Sequence, residues 1–68
     1  MTEPGVISRA HFVGMRETLT LVFVEKATEM FPDMGDYERD HVIGTARHAA
    51  ESALRAHFAR KSILIAEE

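Results

Sequence analysis

The sequence predicts an all-α protein, an antiparallel two-helix hairpin that dimerises into a four-helix bundle. Three observations lead there. A single strong break, Phe31-Pro32-Asp33-Met34-Gly35-Asp36, divides the chain into two segments of helical length. Each segment carries apolar residues at helical spacing. And 68 residues without a cysteine leave two lone helices little apolar area to share, with no disulfide or thiolate–metal site to compensate.

The first helix is expected over about 9–31, with Ser8 as its N-cap. On a 3.6-residue wheel Phe12, Leu19, Phe23 and Met30 fall on one line, flanked by Met15, Val22 and Ala27. A second stripe holds Val13, Val24 and Phe31. Two stripes call for two neighbours, and a hairpin supplies one. Val13, Leu21, Val24 and Phe31 are therefore the expected self-association residues. Thr18 to Val24 alternates and is β-branched enough to be a strand, as in a ribbon-helix-helix layout. The helix left before Pro32 would then hold about eight residues, too few for that fold.

The break, 32–36, arises from local chemistry. Proline disfavours helix at the residue before it, Gly35 permits a left-handed turn, and Asp36 can cap the next helix. That helix is expected over about 37–61. Asp36, Glu38 and Asp40 at its start and Arg60 and Lys61 near its end complement its dipole. Its buried face reads Val42, Ile43, Ala46, Ala49, Ala50, Ala53, Leu54 and Ala56, small enough for close helix packing. Across it, Arg47–Glu51 and Glu51–Arg55 have the spacing of surface ion pairs. The apolar tail, 62–68, holds the β-prone Ile63-Leu64-Ile65. With Val6-Ile7 it is expected to cover the open end of the core, or else to offer a strand to a partner's edge. The whole chain, 1–68, reads as one helical domain.

Charge divides along the chain. Residues 1–38 hold three cations against seven acids, residues 39–61 five against two, and with Glu67 and Glu68 the net is −3. That suits antiparallel segments better than a nucleic-acid binder, whose domain is usually basic. The opening Met-Thr-Glu-Pro-Gly lacks the layout of a secretory signal, and the longest apolar run, Leu21 to Val24, is far short of a membrane span. A cytoplasmic protein with no membrane partner is expected.

Chemistry-bearing constellations are absent. His41 and His48 lie seven apart, where a helical metal pair is three or four apart. The serines have no base at useful spacing, and no glycine-rich loop comes after a strand. Neither enzyme activity nor a metal nor a cofactor is expected. His57 falls among the alanines, at the mouth of the hairpin. The expected role is protein–protein interaction: a helical homodimer serving as adaptor, inhibitor or regulatory subunit. Arg47, His48, Arg55 and Phe58, on the polar side of the second helix, are the expected contacts with a further protein, unless the helix end bends and turns Phe58 inward. The alternative is a dimeric RNA- or DNA-binding regulator using that same basic face, with Lys61 extending it and Phe58 stacking on bases.

Overall fold

A computed structural model describes residues 5–66. The elements run β1 (Val6–Ile7), α1 (Arg9–Met30), α2 (Asp36–Arg60) and β2 (Leu64–Ile65). Both long helices form where expected, and Thr18–Val24 is helical, not a strand. Ser8 caps α1, its hydroxyl accepting the His11 backbone N–H at 3.1 Å. Three threonines inside α1 turn their hydroxyls back on the helix, Thr18 to Gly14, Thr20 to Arg16 and Thr28 to Val24. This lets Thr20 be buried with its hydroxyl satisfied.

The connection differs in detail from expectation. Phe31 leaves the helix in a non-helical conformation (φ −131°, ψ 73°), outside the α region that the following proline disfavours. A turn comes next, closed by the Met34 N–H donating to the Phe31 carbonyl at 3.2 Å. Gly35 does not take a left-handed conformation. It is the extended N-cap of α2 (φ −79°, ψ 173°) and supplies no side-chain bond. Asp36 is accordingly the first helical residue and not the cap, and it acts with Glu38 on the dipole of the first turn.

The left-handed conformation occurs instead at the other end of α2. Ser62 has φ 56°. The Ser62 N–H donates to the Ala59 carbonyl at 3.1 Å and the Ile63 N–H to the Phe58 carbonyl at 2.8 Å. These are the two bonds of a Schellman motif, which usually places glycine where Ser62 stands. The reversal sends β2 alongside β1, parallel, with Val6 beside Leu64 and Ile7 beside Ile65. Ile7 and Ile65 are half-buried, while Val6 and Leu64 point outward. The two end segments thus pair with each other across the open end of the hairpin.

The core is small. Phe12 is 1% exposed, and Phe58, Ala46 and Ala50 join it as the buried apolar residues among those described. Ala49, Ala53 and Ala56 do not face the core as the sequence suggested, and Val42, Ile43 and Leu54 are only half-buried. The reason is geometric. One neighbouring helix covers a narrow stripe, and the expected face spans a wider arc than a single partner can reach. Met30 and Phe23 of the first expected stripe stay exposed for the same reason.

Candidate interaction surfaces

The hairpin has two unlike sides. On α1, Met15, Leu19, Val22 and Phe23 recur at three- and four-residue spacing and share one flank, whereas Glu17 lies on the opposite flank. The Glu17 flank carries a charged lattice between the helices. Arg47 grips Glu17 with two parallel bonds, Nε to Oε2 and Nη2 to Oε1, both 3.0 Å. Arg16 donates to Glu17 (3.0 Å) and to Glu51 (2.9 Å), and Arg55 reaches the second oxygen of Glu51 at 3.3 Å. The Arg55 guanidinium also lies 5.2 Å from the centre of the Phe12 ring, within the range of a cation–π contact.

These contacts fix the charge states. The bonds from Arg47 and then Arg16 hold the Glu17 carboxyl below the ordinary carboxylate range. Arg16, followed by Arg55, does the same for Glu51. Arg16 and Arg47 are held still more firmly protonated by the same partners. The forked Arg47–Glu17 pair adds direction to the attraction between the helices.

Sequence spacing alone pairs Arg47 with Glu51 on the same helix. The structure corrects this: Arg47 crosses to Glu17, and Glu51 answers Arg16 and Arg55. Glu17 and Arg16 carried no separate sequence signal. Only the antiparallel register brings them opposite Arg47 and Glu51.

Phe58 requires a second correction. The helical wheel puts it on the polar side of α2, exposed to a partner. It is buried, with its ring 6.3 Å from that of Phe12 and His57 edge-on at 5.7 Å. It continues the row of Arg47, Glu51 and Arg55, which faces α1, and so meets Phe12. Arg47, His48 and Arg55 keep exposed positions, but Arg47 and Arg55 face carboxylates within the hairpin.

The opposite side is apolar and open. A groove of about 640 Å³ is lined by His11, Gly14, Met15, Thr18, Leu19, Val22 and Leu54. A smaller one of about 270 Å³ lies between Phe23 on α1 and Val42, Ala46 and Ala49 on α2. At the turn, Met30, Phe31, Pro32, Met34 and Val42 line a third of about 490 Å³. Of the expected self-association residues, Leu21 is 62% and Phe31 61% exposed, while Val13 and Val24 are half-buried; Val13 and Leu21, one turn either side of Glu17, lie on the Glu17 flank. Among the described residues no three His, Cys, Asp or Glu side chains gather as metal ligands, and no helix is long and apolar enough to cross a membrane.

Together these features define a small α-hairpin with one ion-paired side and one greasy side. Comparison with protein families, with curated proteins and with solved structures finds no match for this chain.

Proposed function

We propose that this protein is a non-enzymatic protein–protein interaction module that works as a helical homodimer, an adaptor, inhibitor or regulatory subunit. The observation that carries the reading is the imbalance between buried and exposed apolar residues. Four apolar residues are buried, whereas Leu21, Val22, Phe23, Met30, Phe31 and Leu64 are exposed. Exposed apolar groups scattered singly are ordinary, but Val22 and Phe23 join Met15 and Leu19 along one flank of α1, and a patch shared in this way marks an interaction surface. Two hairpins joined through such surfaces would make a four-helix bundle.

The alternative, nucleic-acid binding through α2, gains nothing from the geometry. Phosphate recognition uses Lys and Arg to neutralise phosphates and release the counterions condensed on the nucleic acid. Here Arg47 and Arg55 already face Glu17 and Glu51.

Sedimentation equilibrium and thermal melts across several decades of concentration test the proposal. A dimeric mass and a melting temperature that rises with concentration are expected. A monomeric mass with a melting temperature independent of dilution would overturn it. Recovery of a stoichiometric protein with the tagged chain from its host, insensitive to nuclease, is the expected sign of a further protein partner.

A further inference from the structure

We infer that the turn end of the hairpin is a docking site for a cationic segment of a partner protein, which seats one large apolar side chain among Met30, Phe31, Met34 and Val42. This rests on the reading of the protein as an interaction module, though not on its being a dimer, and names the partner's chemistry. The pocket of about 490 Å³ at the turn is walled by apolar side chains and carries two carboxylates, Asp33 and Glu38, and no cation. Met30 at its edge is 72% exposed. Methionine and aromatic side chains concentrate at protein interfaces, and a flexible thioether adapts to the shape it meets.

Charge selects the occupant. From Glu25 to Asp40 the chain holds six carboxylates against Lys26 and Arg39. Glu29 pairs with Lys26 at 3.3 Å, and the other five engage no cation among the described residues. Glu17 and Glu51, by contrast, are each held by two arginines. Folding does not call for so much acid at this end. Asp36 and Glu38 serve the dipole in the first turn of α2. Asp33 lies between the helices, and Glu29 stands in the last turn of α1, where the dipole favours a cation and none is present.

The same charge rules out other occupants. Two copies meeting turn to turn would set like charges together, and nucleic acid or an anionic membrane would be repelled. Among the described residues no three carboxylates gather as metal ligands, so these act as a field and not as a chelate. Arg9, Arg60 and Lys61 lie at the far end of the hairpin. Docking that end of a second copy here would be head-to-tail and would not close. A basic segment of another protein meets unpaired carboxylates at the rim while its apolar side chain leaves water.

Fluorescence anisotropy with three labelled peptides tests the site. Each has a central phenylalanine, flanked by lysines, by glutamines or by glutamates. The lysine peptide should bind, the glutamine peptide about tenfold more weakly and the glutamate peptide not at all, and added salt should erase the first difference. NMR shifts induced by the lysine peptide should cluster at residues 30–38 and Val42. Phe31→Ser should weaken that peptide about tenfold or more, and Asp33→Lys about threefold. Both positions are exposed, and an unchanged melting temperature in each variant separates lost docking from lost fold. Equal binding of the three peptides, shifts centred on another groove, or no binding of the lysine peptide overturns the proposal. A mass that grows without limit as concentration rises, and reverts in Asp33→Lys, gives the site to a second copy and overturns it as well. If both variants still recover the host protein that accompanies the parent chain, the interaction module stands and the turn is not its contact. A parent chain that binds no peptide and recovers no host protein overturns both.

Discussion

The Phe58 ring stands 6.3 Å from Phe12 and tilted 58° to it, the one aromatic pair between the two helices among the described residues. It joins the first turns of α1 to the last turn of α2, beneath the paired end strands. With so few buried side chains, this contact is a large share of the stability. Phe12→Ala should cost about 3–5 kcal/mol, comparable with the whole stability of so small a domain. Chemical denaturation followed by far-UV circular dichroism measures the loss. An effect near that of a surface substitution would mean the pair is not the centre of the core.

Ser62 holds a conformation that L-residues with a Cβ adopt at a cost of about 1 kcal/mol. Ser62→Gly should therefore raise stability by about 0.5–1 kcal/mol. Ser62→Val should lower it, because a β-branched side chain resists positive φ more strongly. Thermal melts of the two variants should move in opposite directions from the parent.

Ala50 is fully buried where the helices approach. Leucine there would have to push the helices apart or adopt a strained rotamer, at about 1–3 kcal/mol. By contrast, a Cβ at Gly44 in the middle of α2 would meet nothing. Gly44→Ala should stabilise the helix by about 1 kcal/mol. Denaturant midpoints for the two substitutions should shift in opposite senses. A Gly44→Ala loss would show that Gly44 faces a close neighbour outside the hairpin.

Glu17 and Glu51 sit below the ordinary carboxylate value of 4.5 because arginines bond to their charged forms. The folded chain then binds fewer protons at these sites than the unfolded chain. Their stabilising effect is complete above about pH 4.5 and is lost as pH falls through the lowered values. Melting temperature measured from pH 6 to pH 3 should drop in the acid part of that range. Glu17→Gln should flatten the drop, and added salt should shrink it, since these groups are partly exposed. An identical acid slope in Glu17→Gln would remove the lattice from the account of stability.

The two helices, their break and the Ser8 cap were legible in the residues, because each depends on neighbours within about one turn. Ser8 can cap only the turn immediately after it, and Pro32 acts on Phe31 whatever the rest of the chain does. The residues facing the interior were less legible. A helical wheel places Phe58 with Arg47 and Arg55, as the structure does, but the wheel does not say that this row faces α1. The candidate surfaces divide in the same way. Of the four residues expected to join a second copy, Leu21 and Phe31 are exposed in the hairpin and Val13 and Val24 are half-buried. Arg47 read as partner-facing; it stays exposed while its guanidinium bonds Glu17.

What the sequence by itself determined is local: helix, break, helix, and apolar ends prone to extended structure. The tertiary structure alone decided which guanidinium meets which carboxylate, that β1 would pair with β2, and which side of α1 stays bare. Periodicity repeats every turn and so survives in a one-dimensional reading. Contacts between residues thirty or more positions apart depend on the register and crossing of two helices, which no single stretch of chain encodes.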